Sequence, residues 1–459
     1  MVDAVDLAYL EALSDEEVKL TRQIIAARKY HTGSQNVALT ERLKQYVGET
    51  FSGFEFRLNI VKTIVRAVTE KLGVVGFDCE EPEAIAWAEK VWQHNQMDSR
   101  QDDVFEAALR DGSCYVIVDW PAESQYPRWV PQQQYTSAMA GGDGLGCHIY
   151  YQQDDPNLDP IMGVKYWTER IKGKYIQRRT LYYPDRVEKW ARTGGGGDWA
   201  HFSDPDDVAW PIPWVDAEGN PLGIAVVPFY NKGMLPEAYD AFPLQDAANK
   251  VVVDLLSTED QTAYRVLVAL GFIPTSDGLE LRSDRSNALE IEPGVIVGTT
   301  KTKAEADFRA IEPARLTPIM DMVQQLILWI ALVTDTPVSR FITTKLIASD
   351  ETLKQQEAPL IAKVEARQKL FSTSIMQCMD LSARLARAYG VADQVPPAGV
   401  AIKPIWKSAQ SLRERLEELT LKQSLGVPEV QLWAELGYGQ DKVDAWTRLA
   451  STEGVENGN

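Results

Sequence analysis

Residues 350–389 form a forty-residue stretch in which Leu353, Leu360, Val364, Phe371, Ile375, Cys378 and Leu385 recur three, four or seven apart. That period places all seven on one face of an α-helix, so the stretch is expected to be a single long helix capped by Ser349. Pro359 lies inside it and removes one backbone hydrogen bond while crowding the preceding turn, which predicts a bend near residues 355–360. Two further helices are expected upstream. One covers residues 243–270, striped by Leu244, Ala248, Val251, Leu255, Thr262, Val266 and Ala269 and stopped by Gly271; at 1.5 Å per residue it would be about 40 Å long. The other covers residues 316–334 and stops at Asp335-Thr336-Pro337. Between them, residues 272–313 read as strand pieces at 288–291, 295–297 and 308–311. Both flanking helices carry apolar residues off the main stripe, among them Val252, Val253, Val268, Leu328 and Trp329. Helices that are apolar nearly all round need neighbours on several sides, from other domains of the chain or from copies of it. The insertion is too small for a core of its own, which favours strand pairing between subunits.

Upstream, helices are expected at residues 14–30, 40–47, 59–72, 83–95 and 99–110, the first opened by Ser14 with Glu17 three residues on. The period then shortens to two. SCYVIVD at 113–119 reads as a strand, as do 150–153, 164–170, 175–183, 187–191 and 225–230, with Gly194 to Gly197 as a hairpin tip. After the long helix come a strand at 400–406, helices at 411–425, 429–436 and 442–449, and a disordered tail at 451–459. The fold class is therefore α+β.

The 459 residues carry a net charge of −19, which argues against a tight duplex binder but permits a wall that DNA slides past. Cys79, Cys114, Cys147 and Cys378 form no CxxC pair, and with His31, His94, His148 and His201 scattered no zinc spacing arises. The acidic N-terminus lacks a signal-peptide layout, and the longest apolar run, 326–333, has eight residues where a span needs about twenty. A cytosolic, soluble protein is expected. No nucleotide-binding, serine-hydrolase or metalloprotease motif is present; Gly298-Thr299-Thr300-Lys301 lacks the spacing of a phosphate loop. The carboxylate pairs Asp102-Asp103, Asp154-Asp155 and Asp206-Asp207 are the only hint of a two-metal nuclease, and solvated surface explains them. His94, near Trp87 and Trp92, suits packing better than ligation.

LNIVKTIVRAVTEKLGVVGF (58–77), the W-x-x-N-x-M-D run at 92–98 and FEAALRDGSCYVIVDW (105–120) resemble the portal proteins of tailed bacteriophages, in particular the SPP1-type family. The later order of elements is also similar to that family's. The resemblance implies a wing at 1–242, a stem helix at 243–271, a clip at 272–314, a second stem helix at 315–336 and a tunnel loop at 337–349. A kinked helix with a returning strand (350–407) and a short crown (408–450) would follow. It further implies a ring-shaped homo-oligomer, typically twelve-fold, at one capsid vertex. Double-stranded DNA would pass through it without sequence specificity. Partners would be the terminase large subunit, head–tail adaptors, and the major capsid and scaffolding proteins, with no membrane, cofactor, metal or catalytic residue. By position, Arg340, Thr343, Thr344 and Lys345 become candidates for facing DNA, with ion pairs between subunits the alternative for Arg340 and Lys345. Arg282, Arg285, Lys301 and Lys303 are candidates for subunit or partner contacts in the clip, and Pro359 for a hinge. Another head–tail connector, a minor capsid protein or a nuclease are the rival readings.

Overall fold

The computed structural model describes residues 15–36, 58–121, 124–138, 141–152, 155–171, 173–193, 199–202, 209–263, 267–270, 275–276, 279–280, 307–310, 315–342, 350–390, 395–410, 412–428 and 432. The chain divides into two compact units, one of residues 1–36, 59–245 and 329–459, the other of residues 37–58 and 246–328.

The first unit begins with α1 (Asp15–Thr32), followed by α2 (Val61–Thr69), which buries Val61, Ile64, Val65, Ala67 and Val68. Strand β1 (Val74–Asp78) leads to α3 (Pro82–His94), whose proline sits in the first turn, where no backbone donor is missed. Then comes α4 (Met97–Asp111), ended by Gly112 at φ 90°. A side chain there would collide with the Met234 carbonyl, so both the turn and the close approach require glycine.

Strands β2 (Ser113–Asp119) and β3 (Arg128–Gln133) form a three-stranded antiparallel sheet with β10 (Val226–Tyr230), in the order β10-β2-β3. Between them a larger sheet is built from β4 (Gly146–Tyr151), β5 (Pro160–Ile171), β6 (Lys174–Tyr182), β7 (Arg186–Thr193) and β8 (Ala200–His201), with β9 (Ile212–Pro213) also on β7. Strand β2 is buried almost throughout, which accounts for its unbroken apolar run.

Helix α5 (Phe242–Ala263) is followed in the second unit by β11 (Leu267–Leu270), β12 (Thr275–Ser276), β13 (Leu279–Glu280) and β14 (Asp307–Ala310). The helix expected over 243–270 is thus shorter. Its last apolar run lies in a strand, with Leu267 opposite Ala310 and Leu270 opposite Asp307. A four-residue apolar run fits either period, and here the ladder to a partner forty residues away decides. Residues 288–291 and 295–297 lie outside the described residues, whereas 308–311 overlaps β14. Strands β11 and β14 pair with each other, as do β12 and β13, so these four find partners within the chain.

Helix α6 (Thr317–Val333) and helix α7 (Asp350–Tyr389) match their expected bounds, within a residue for α6. Strand β15 (Lys403–Trp406) pairs antiparallel with β1, and α8 (Leu412–Ser424) follows. The main core cluster of the first unit gathers side chains from helices and strands, while Tyr150, Met162, Val164, Leu181, Tyr183 and Trp190 form a smaller one in the larger sheet. Phe371, Ile375, Cys378 and Met379 of α7 join Phe105 of α4, Tyr115 and Val116 of β2, and Phe229 of β10. Phe371 stacks on Phe105 at 5.4 Å and tilts against Phe229 at 6.1 Å. The expected helices at 40–47 and 442–449, the glycine run and the tail fall outside the described residues, as does that at 429–436 apart from Leu432.

Candidate functional site

The residues leading into the 338–349 segment are held by their own hydrogen bonds. At the end of α6 the Thr336 amide donates to the Ala331 carbonyl (3.0 Å) and the Asp335 amide to Leu332 (3.4 Å), with Asp335 left-handed at φ 47°. This is a Schellman stop, made by an aspartate where glycine is usual, with Pro337 two residues on preventing continuation. Thr334 and Thr336 are buried and bonded to each other, Oγ1 to Oγ1 at 3.1 Å. A short 3₁₀ turn, Val338–Arg340, follows.

The carbonyl of Thr334, just past α6, accepts hydrogen bonds from Thr336 Oγ1 at 3.1 Å and from Lys363 Nζ on α7 at 2.5 Å. A cation at a helix C-terminus is favoured by the helix dipole, and this one is also shielded from water. Its other partner is Glu237 at 3.3 Å. Glu237 in turn receives Arg367 Nε at 2.9 Å, Arg367 Nη2 at 3.2 Å and Asn231 Nδ2 at 3.2 Å. Its amide donates to the Leu109 carbonyl at the end of α4 (2.8 Å). The three charged side chains are only 3, 10 and 8% exposed, for Glu237, Lys363 and Arg367. Burial opposes ionisation of Glu237, but Lys363, Arg367 and the hydrogen bonds outweigh it and hold the carboxyl below its usual range. One carboxylate therefore fixes α7 to the 231–241 segment and, through Lys363, to the end of α6.

The two flanks of the 343–349 stretch are tied to one dipeptide at the end of α2. Arg340 Nη1 meets Glu70 Oε2 at 2.9 Å before it, and Lys71 Nζ meets Glu357 Oε2 at 3.2 Å after it. Lys71 also donates to the Ala409 carbonyl at 2.8 Å. Arg340 thus spends its charge on a carboxylate of its own chain. Thr343, Thr344 and Lys345, and likewise Arg282, Arg285, Lys301 and Lys303, lie outside the described residues. Pro359 is exposed inside α7, two residues from Glu357 and adjacent to the fully buried Leu360.

Sequence reading missed Glu237, Lys363, Arg367 and the Glu70-Lys71 anchor. One signal was available. Arg367 falls on the apolar stripe of α7, between Val364 and Phe371, and a cation there calls for a buried acid. Nothing nearby in sequence names that acid, which stands 130 residues away.

For chemistry the described residues offer little. No group of three or more metal-capable side chains occurs among them. Asp102 and Asp103 are exposed on α4, where weak desolvation and each other's charge raise the Asp102 carboxyl. His94 packs against Tyr126 at 5.5 Å. The four cysteines are free thiols; burial pushes the Cys114 thiol up to about 12 and raises those of Cys147 and Cys378, leaving them unreactive. No helix among the described residues is long and apolar enough to cross a membrane.

Among the described residues, what this arrangement defines is a set of joints between elements fixed by buried charge. The chain belongs to the phage portal protein family, SPP1 Gp6-like, whose model matches residues 29–436. The portal protein of Mycobacterium phage D29 is 22% identical over 357 residues, covering 75% of this chain and 67% of the relative. That of Mycobacterium phage L5 is 21% identical over 355 residues, with the same coverage. Among solved structures, a chain of the virion of a native gene transfer agent particle superposes with a TM-score of 0.39 at 12% identity, covering 91% of this chain and 94% of that one. A chain of the neck of a native particle, computed with C12 symmetry, gives 0.36 at 14% identity, covering 91% and 95%.

Proposed function

We propose that this portal subunit assembles into a closed homo-oligomeric ring, typically of twelve copies, whose channel passes double-stranded DNA at one capsid vertex. The observation that carries the reading is the family match across residues 29–436. The geometry supports it. Helix α6 exposes Met320, Met322, Leu328, Trp329, Leu332 and Val333, an apolar surface that a lone chain leaves in water and neighbouring copies in a ring would cover. Residues 1–241 would form the wing and α5 and α6 the stem helices. The β-containing segment between them would form the clip, 337–349 the channel loop, α7 with β15 the return to the wing, and 408–450 the crown.

In this reading the loop is the constriction. Arg340 within it and Glu357 on α7 beyond its end are both anchored on Glu70-Lys71. Thr343, Thr344 and Lys345 would meet phosphates without reading sequence, whereas Arg340 positions the loop through Glu70. The terminase large subunit and head–tail adaptors would dock at the clip through Arg282, Arg285, Lys301 and Lys303. Major capsid and scaffolding proteins would surround the wing, and assembly would take place in the host cytoplasm. The subunit would do no covalent chemistry of its own.

The test is substitution of Trp329 and Leu332, which are 46% and 74% exposed, by glutamate. On size-exclusion chromatography with light scattering the double variant should elute as a folded monomer where the parent elutes as a ring. A variant that still forms rings would remove α6 from the interface.

A further inference from the structure

Residues 160–193 hold nine Lys and Arg against three Asp and Glu, inside a chain that has 47 against 66. This basic island is the β5–β6–β7 meander. Its register sets Lys165 opposite Thr180 and Thr180 opposite Lys189, so the three side chains form one row across three strands on the same face. Three other cations nearby are paired with carboxylates: Arg178 with Glu169 at 2.6 Å, Arg186 with Glu188 at 2.8 Å and Arg128 with Asp119 at 2.8 Å. Lys165 and Lys189 have no carboxylate partner among the described residues. Each rests instead on an indole, Lys165 5.4 Å from the Trp167 ring centre and Lys189 4.4 Å from that of Trp210.

Both lysines line a cavity of about 950 Å³, within the first unit, that is walled also by Trp120, Trp214 and Tyr389. Trp210 also lines it, and its Nε1 donor is buried with no acceptor among the described residues. The cavity therefore combines two half-buried cations without counter-charge, aromatic walls and one unsatisfied donor. Each of these lacks a specific complement: a carboxylate, an apolar side chain and a carbonyl oxygen.

We infer that this face is a docking site for an extended acidic peptide segment of a partner protein, bearing at least one bulky apolar side chain. The peptide's carboxylates would pair with Lys165 and Lys189, its apolar side chain would enter between the indoles, and a backbone carbonyl would take the Trp210 N–H. A single nucleic-acid strand needs open ring faces for its bases. Here Lys165 and Lys189 already cover the Trp167 and Trp210 faces, which favours the peptide. The inference is independent of the channel and uses none of its residues.

Fluorescence anisotropy on the purified full-length chain tests it, with the fluorescein-labelled peptide Asp-Glu-Leu-Asp-Trp-Asp-Glu as probe. A peptide with serine at each acidic position and a short labelled oligothymidylate serve as comparisons. The acidic peptide should bind, more weakly as salt rises, and the double variant Lys165→Gln, Lys189→Gln should weaken it about tenfold. Lys174→Gln, an exposed cation of the same sheet, should leave affinity unchanged, and Trp210→Phe should weaken binding while keeping the wall apolar. An unaltered melting temperature shows that the variants fold. Equal binding of the serine peptide, undiminished binding by the double variant, or tighter lysine-dependent binding of the oligothymidylate would each overturn the inference.

Discussion

Glu237→Gln perturbs the joint between α7 and the end of α6 with almost no change of shape. The parent carboxylate is 3% exposed and answers two cations that are themselves buried. The amide leaves Lys363 and Arg367 facing each other without a counter-charge, and breaking a buried pair on one side costs about 3–5 kcal/mol. Unfolding entropy is about 2.1 cal/mol/K per residue, so for 459 residues melting together the melting temperature should fall by about 3–5 °C. The pH dependence supplies a second check. Because the folded-state carboxyl titrates below its ordinary value of 4.5, its contribution is complete above that value and is lost as pH falls through the lower, folded value. The gap between parent and variant should therefore be constant near neutrality and narrow in acid. Differential scanning calorimetry from pH 7 downward reads both. A variant melting within a degree of the parent at pH 7, or a gap that persists after the parent's carboxyl is protonated, would refute the buried-charge account.

Phe371→Ala should cost about 3–5 kcal/mol, because the ring is fully buried between Phe105 and Phe229 and the space cannot collapse around a methyl group; denaturant titration measures it. Pro359→Ala should stabilise α7 by restoring a backbone donor, yet lower DNA packaging in an in vitro assay if the proline supplies a hinge; unchanged packaging would remove that role. Arg340→Glu breaks a partly exposed pair worth at most about 1 kcal/mol, so melting should barely move. Packaging should fall nonetheless and recover in the double variant with Glu70→Arg, and no recovery would separate the loop from the Glu70 anchor.

Where long periodic stretches dominate, the fold was legible in the amino-acid sequence. The stripe from Leu353 to Leu385 marked the whole of α7, and the apolar run SCYVIVD marked β2. Short elements were less so. Leu267–Leu270 is too brief for its period to be read, and β1 depends on β15, more than 300 residues on, for its ladder. The candidate site divides in the same way. The position of the 337–349 segment follows from the helices that bound it, whereas Glu237 meets Lys363 and Arg367 only after the chain has folded. The row of Lys165, Thr180 and Lys189 likewise exists only through strand register, since its members are nine and fifteen residues apart. Charge counts alone show the basic island but not which lysines lack partners.

The central claim is that copies of this chain close into a ring around a channel. Negative-stain electron microscopy of the purified protein tests it most directly. The account predicts end-on views of closed rings, of about twelve subunits if the common symmetry of such assemblies holds, each with a stain-filled central hole. A monodisperse monomer under all solution conditions would contradict it.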